Sequence, residues 1–306
     1  MHTLDIPEKD VHIEYPSCWE EMTTEQFDFV MQQIIKLEDR KLSIEEFKLL
    51  ILYNFLGIKL SPFALRKSDR MTEEELEEKY QNTWQLTETL NYFFILDEKE
   101  GAFFYRLNYD SVKNFLPVLH INGNMFYGPA HGLTDCSFAE YRHAFDAYRN
   151  FSVKHEPNEL NKLVAILYRP EREHYQDVKL SVDYDGQQRE KYNYHLVADR
   201  AGIINELPYY QKYAIYLFFR NCDLFFRTKE IEVSGQQVCF KVLFKEGEEK
   251  GESLGLNSLL FSMADAGTFG NIKETDEANL YDIFLKLYDA KLKYEEFKRK
   301  NKIKDD

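Results

Sequence analysis

Apolar residues recur at helical spacing along most of the chain. Phe27, Val30, Met31, Ile34 and Ile35 form one stripe, which predicts an amphipathic helix from about Thr24 to Glu38. Ile44 to Leu56 is apolar on nearly every side, so a helix in the middle of a bundle is expected there, stopped by Gly57. The polar stretch Ser68 to Asn91 carries Leu76, Tyr80 or Thr83, Trp84 and Leu90, which predicts an exposed helix packed along one face. Phe138, Tyr141, Phe145 and Tyr148 follow one another at i, i+3, i+7 and i+10, a core-facing stripe. Leu160, Leu163, Val164, Ile166 and Leu167 mark the next helix, and Pro170 ends it because proline disfavours a helical residue before it. Further helices are expected over about Arg189 to Asn205, Leu207 to Phe226, Leu256 to Ala266 and Ala278 to Lys300, with a break at Pro208 and a turn from Gly267 to Gly270. Four S/T-x-x-E/Q capping boxes fix helix starts: Thr23 with Gln26, Ser43 with Glu46, Thr72 with Glu75, and Ser137 with Glu140.

The period changes in three places. "FFILDEKEGAFFYRL" from Phe93, "HINGNMFYGP" from His120 and "EIEVSGQQVCFKVLF" from Glu230 each set short apolar runs around a turn, which predicts hairpins. The polar stretch Glu171 to Arg189 holds Asp185-Gly186 and is expected as a surface loop that orders on contact; a second polar segment spans 245–253. The expected fold is mainly α, a multi-helix orthogonal bundle of about ten helices with two or three small β-hairpins. It forms a single helical domain over residues 1–306, with subdivision open at about 92–130 and about 227–252.

Composition narrows the classes. The 306 residues are 44% hydrophobic, enough for a full core without metals or disulfides. A net charge of −14 repels phosphate backbones, so broad nucleic-acid binding is not expected. One basic cluster stands out, seven Lys or Arg between Lys291 and Lys304 interleaved with Glu295 and Glu296, read as a solvated helix end. The cysteines Cys18, Cys136, Cys222 and Cys239 form no C-x-x-C and no zinc-module spacing. The first residues lack the basic and apolar regions of a signal peptide, and the most apolar window, Ala214 to Phe219, is too short to span a membrane. A reducing cytoplasm, with no membrane association, is therefore the expected setting.

Candidate chemistry is sparse. The phosphate-loop, dinucleotide, zinc-protease and nucleophile-elbow motifs are absent. No two histidines are four apart, so no helical metal pair is expected, and no cofactor or metal site is assigned. Cys136, just before a helix start, could pair with His131 or His143 as a thiol–imidazole dyad, and this is the enzymatic alternative. Its neighbours "TDCS" read equally as capping chemistry. Arg169 can pair with a carboxylate or face solvent. Aromatic residues crowd the helix after Pro208. Trp84, Tyr209, Tyr210 and Tyr213 are the candidate partner-binding anchors, with the loop Glu171 to Arg189 as a second contact.

Four phrases occur together: "YPSCWEEMTTEQFDFVMQQI" from Tyr15, "YGPAHGLTDCSFAEYRHAFDAY" from Tyr127, "LNKLVAILYRP" from Leu160 and "MADAGTFGNIKETDEANLYDIFLKL" from Met263. Together they resemble uncharacterised proteins of tailed phages and prophages of Bacteroidetes-type bacteria, found among tail and virion-assembly genes. The resemblance carries no catalytic residues. It implies a non-enzymatic structural or tail-assembly role through protein–protein contacts, with phage tail or virion chains as partners, in the host cytoplasm or incorporated into a virion. A regulator touching nucleic acid through the basic C-terminal helix stands as a further alternative.

Overall fold

The structure is a computed structural model that describes residues 1–58, 71–99, 101–182, 184–233, 235–243 and 255–301. The polar segment 245–253, Ser234 of the third expected hairpin, and Lys302 and Lys304 of the basic tail lie outside the described residues. The chain is mainly α, with small two-stranded antiparallel sheets. It divides into two compact units, Met1–Ser111 and Val112–Asp306, a boundary inside the 92–130 segment.

The first unit opens with a hairpin absent from the expected set, β1 (His2–Ile6) paired with β2 (Val11–Tyr15). Its period-2 alternation is short and polar, and Pro7 to Asp10 bridge it with Asp10 in the left-handed region. Among the described residues three helices follow: α1 (Thr24–Glu38), α2 (Ile44–Phe55) and α3 (Glu73–Glu88). All three start at the expected capping boxes, with both reciprocal hydrogen bonds present in each. A second hairpin, β3 (Phe94–Lys99) and β4 (Ala102–Leu107), comes next. Trp19 is the hub of this unit's core. Its ring lies 4.8 Å from both Phe93 and Tyr109, and its Nε1 donates to the Asn108 carbonyl at 2.7 Å.

Two expectations for this unit are corrected. Helix α2 buries Phe47, Lys48, Ile51, Leu52 and Phe55 but leaves Leu49, Leu50 and Tyr53 half-buried, so it is not enclosed on all sides. Helix α3 does not pack through an aromatic stripe: Tyr80 and Trp84 are 64% and 57% exposed, and Thr87 is its one buried residue among those described. Its cap and its run of first-turn glutamates suffice to start it without a core-facing stripe.

The second unit begins with β5 (Val118–Ile121) and β6 (Asn124–Tyr127), joined by Asn122-Gly123 with both φ values positive, as a type I′ turn requires. Helix α4 (Phe138–Lys154) and helix α5 (Pro157–Leu167) are joined through His155, which sits in the left-handed region, and Pro157 at the first helical position. The short helix α6 (Tyr175–Val178) precedes α7 (Val197–Ile204) and α8 (Tyr209–Thr228). The hairpin of β7 (Glu230–Val233) and β8 (Gln236–Cys239) leads to α9 (Leu256–Asp265), α10 (Ile272–Glu277) and α11 (Leu280–Asn301).

Helix α5 is the centre of this unit, packed against α4, α7 and α8. Eight of its eleven residues are buried, including Leu160, Leu163, Val164, Ile166 and Leu167. Each such aliphatic side chain contributes roughly 1.5–3 kcal/mol by leaving water. The expected helix from Arg189 starts later: residues 189–193 are not helical, a single 3-10 turn covers Tyr194–Leu196, and α7 then begins. The α10 segment was absent from the expected helices. Asn271 caps it, accepting from Lys273 N and Glu274 N at 2.9 and 3.2 Å.

Candidate functional site

A cleft of about 1510 Å³ opens on the second unit beside the start of α4, bounded by residues 169–196 and by α10. Its floor grows out of an ordinary helix cap. Ser137 Oγ accepts from Glu140 N at 3.3 Å, and Glu140 Oε2 accepts from Ser137 N at 3.0 Å. The second carboxylate oxygen, Oε1, then receives Arg169 Nη1 at 2.6 Å and Arg189 Nη1 at 2.9 Å. All three residues are about 2% exposed.

The arginines do a second job. Chain direction changes after Leu167, because Tyr168 is extended, and the last carbonyls of buried α5 lose helical partners. Three guanidinium groups meet them in order. Arg200 Nη1 donates to Ala165 O at 2.7 Å, Arg169 Nη1 to Ile166 O at 2.9 Å, and Arg189 Nη1 to Leu167 O at 2.8 Å. Cations at a helix C-terminus also suit its dipole. Further donors are committed as well: Arg169 Nε to Glu190 O, Arg200 Nη2 to Glu190 Oε1, and Arg189 Nη2 to Asp135, while Arg189 Nε is buried without a partner among the described residues. Burial works to raise the Glu140 carboxyl, but Arg189, Arg169 and the Ser137 N–H outweigh it and hold the group at about 2.

The thiol dyad does not form. Cys136 is 1% exposed, and its sulfur lies 3.8 Å from Arg189 Nη2 and 4.0 Å from Asp135 Oδ1. Burial, reinforced by Glu140, pushes the thiol up well beyond its ordinary range, which disfavours the thiolate a nucleophile needs. Both imidazoles are engaged elsewhere. His131, exposed, accepts Asn114 N at its Nδ1 at 3.0 Å, and His143 Nδ1 lies 2.8 Å from the Tyr192 hydroxyl. His143 lines the cleft, and burial together with Arg142 pulls it down to about 4. Among the described residues no group of three His, Cys, Asp or Glu could hold a metal ion.

The candidate anchors fall in different units. Trp84, 57% exposed, lines a groove of about 520 Å³ on the first unit with Tyr80 and Thr87 of α3 and Leu49 and Glu45 of α2. Tyr209 is 46% exposed at the start of α8, while Tyr210 and Tyr213 are half-buried. Tyr209, Tyr213, Tyr216 and Tyr148 stack in a ladder with ring centroids 5.9, 5.6 and 5.4 Å apart. The hairpin β3–β4 adds further exposed apolar surface through Leu96, Phe103 and Tyr105.

The polar stretch Glu171 to Arg189 lies at the surface, exposed or half-buried at every described residue except Arg189. Its ends are pinned by an antiparallel bridge, with Arg172 N on Gln188 O and Glu190 N on Pro170 O, both at 2.9 Å. Its last residue is core, and its exposed surface lies nearer the middle, at Leu180 and Val182.

No protein-family model, curated protein or solved structure matches this chain. The site must therefore be read from its own chemistry. Among the described residues no helix is long and apolar enough to cross a membrane.

Proposed function

We propose that this chain is a non-enzymatic, phage-like structural or tail-assembly protein that works by binding other protein chains. One observation carries the reading: the charged groups at the floor of the cleft beside α4 are spent on a helix end. Glu140, Arg169, Arg189 and Arg200 each meet fixed protein partners, so these groups hold α5 in place and are not free to act as acid, base or nucleophile. Large aromatic side chains stand at the surface instead, at Trp84, Tyr80 and Tyr209, the residue types that dominate protein interfaces. The four sequence phrases supply the phage association, and with it the tail or virion chains as partners, in the host cytoplasm or the virion.

Two measurements test this. A small thiol reagent applied across pH, with labelling mapped by mass spectrometry, should modify Cys136 only on unfolding. Rapid labelling in the folded chain, as of a thiol with a pKa of about 6, would favour an enzyme. Affinity capture from cells producing the phage should recover tail or virion chains; recovery of none overturns the assembly role.

A further inference from the structure

The last helix and the first unit's groove are complementary in residue pattern and charge. Helix α11 buries only Leu280, Ile283 and Phe284 among its described residues. Beyond Asp289 it has no buried residue up to Asn301. That end carries Ala290, Tyr294 and Phe297 at i, i+4 and i+7, one narrow stripe, with Tyr294 51% and Phe297 57% exposed. At helical spacing, Lys291 and Lys298 flank the stripe on one side and Lys293 and Lys300 on the other, while Glu295 and Glu296 turn to the opposite face. Lys298 Nζ lies 4.8 Å from the Tyr294 ring centroid. Three of these lysines pair with carboxylates four residues away on the same helix. Such surface pairs are weak and exchange readily for better ones.

The groove of the first unit shows the opposite sign. Glu73, Glu77, Tyr80, Trp84 and Glu88 repeat at i, i+4, i+7, i+11 and i+15, so carboxylates and aromatic rings share one face of α3. Glu45 and Leu49 of α2 form the other wall. A groove rimmed by aromatic rings, with Glu45 in its wall and Glu73 and Glu77 farther along the same face of α3, fits an amphipathic helix with an aromatic stripe edged by cations, the helix-in-groove mode of recognition.

We propose that the basic end of α11 of one copy docks in the α2–α3 groove of a second copy, Tyr294 and Phe297 against Tyr80 and Trp84. Lys293, Lys298 and Lys300 then face Glu45, Glu73 and Glu77. Each copy carries one such helix and one such groove, so the contact is heterologous and repeats head to tail. The inference rests on the protein-binding reading above and names its partner.

Sedimentation velocity of the full chain tests it, over a roughly hundredfold range of concentration. The average mass should rise with concentration and fall as salt screens the charged rims. F297A and W84A should each weaken association on the order of tenfold or more, as loss of a central aromatic anchor does. An equimolar mixture of the two should recover a dimer and nothing larger, since it contains one intact helix on W84A and one intact groove on F297A. Both positions are more than half exposed, and unchanged melting temperatures would show that the variants fold. A wild-type chain that stays monomeric at every concentration overturns the inference. So does either variant assembling as the wild type does, or a mixture that fails to associate. Any of these leaves the wider protein-binding reading to its own thiol and capture tests, which do not depend on self-association.

Discussion

Helices α3 and α4 start with the same device and end in opposite surroundings. Thr72 with Glu75 and Ser137 with Glu140 form the same reciprocal pair of hydrogen bonds. Glu75 stays in solvent, and the helix behind it buries little beyond Thr87. Glu140 is 2% exposed, and the helix behind it buries Phe138, Tyr141, Ala144, Ala147 and Phe151. A cap sets where a helix begins, and it is silent on what the helix will pack against. What separates the two is the neighbouring segment. The carbonyls at the end of α5 need donors, Arg169 and Arg189 supply them, and Glu140 balances the arginines. No such demand faces α3, whose aromatic residues remain at the surface.

Removing the balancing carboxylate should separate the two helices most. Glu140→Gln leaves buried Arg169 without its carboxylate and Arg189 with Asp135 alone, and is expected to cost about 3–5 kcal/mol in urea unfolding. The same group gives the fold an acid signature. Its folded pKa, about 2, lies below the 4.5 of a free carboxyl. The ionised form therefore stabilises the fold fully above about pH 4.5, and that contribution is lost as pH falls through about 2. Stability curves of the wild type and E140Q should therefore converge on acidification. Parallel curves would mean that Glu140 is not the ion that balances the arginines.

A smaller loss is expected at the next residue of α4. Tyr141 donates to Asp223 Oδ1 at 2.6 Å in the core, and Arg227 Nε donates to Asp223 Oδ2 at 2.8 Å. Tyr141→Phe removes a buried hydrogen bond to a charged acceptor, so a cost of about 1.5–3 kcal/mol is expected in the same assay. A cost near zero would show water reaching Asp223, and with it a looser core than the one described.

Much of this architecture was legible from residue spacing. All four capping boxes and the turn glycines at 267 and 270, both at positive φ, are where the pattern places them. Period-2 runs marked three hairpins, while the polar runs of β1–β2 were too weak a signal. The buried charge cluster was not legible. Arg169 stood out only as a cation closing an apolar helix, and Arg189 as the last residue of a polar loop. Their roles come from Leu167, where the chain turns away and exposes carbonyls, a tertiary event that no local period encodes. The exposure of Tyr80 is not legible for the converse reason: its helical spacing is that of a core stripe, and nothing on α3 itself says that no element covers it.

Cap removal should narrow the contrast between the helices. Ser137→Ala and Thr72→Ala each delete an oxygen that accepts a first-turn N–H, worth about 1 kcal/mol. Ser137→Ala should cost more than Thr72→Ala, because the freed Glu140 N lies in a part-buried cap whereas Glu75 N is open to water. Equal costs, measured by chemical denaturation, would mean that burial does not amplify the cap and that the two starts are energetically alike.

The smallest effect on stability should come from Trp84, and there the comparison is sharpest. A tryptophan is the largest apolar side chain available, and in a core its truncation costs about 3–5 kcal/mol. Trp84 is 57% exposed at the rim of the α2–α3 groove, so Trp84→Ala should change unfolding free energy by no more than about 0.5 kcal/mol. Its intrinsic fluorescence, separable from that of buried Trp19 by a Trp19-only spectrum of W84A, should also be readily quenched by a small solute in the dilute chain. Protection from that quencher as concentration rises would place the ring in a contact between copies. A stability loss of several kcal/mol would instead make Trp84 a core residue, and α3 would then differ from α4 in sequence alone.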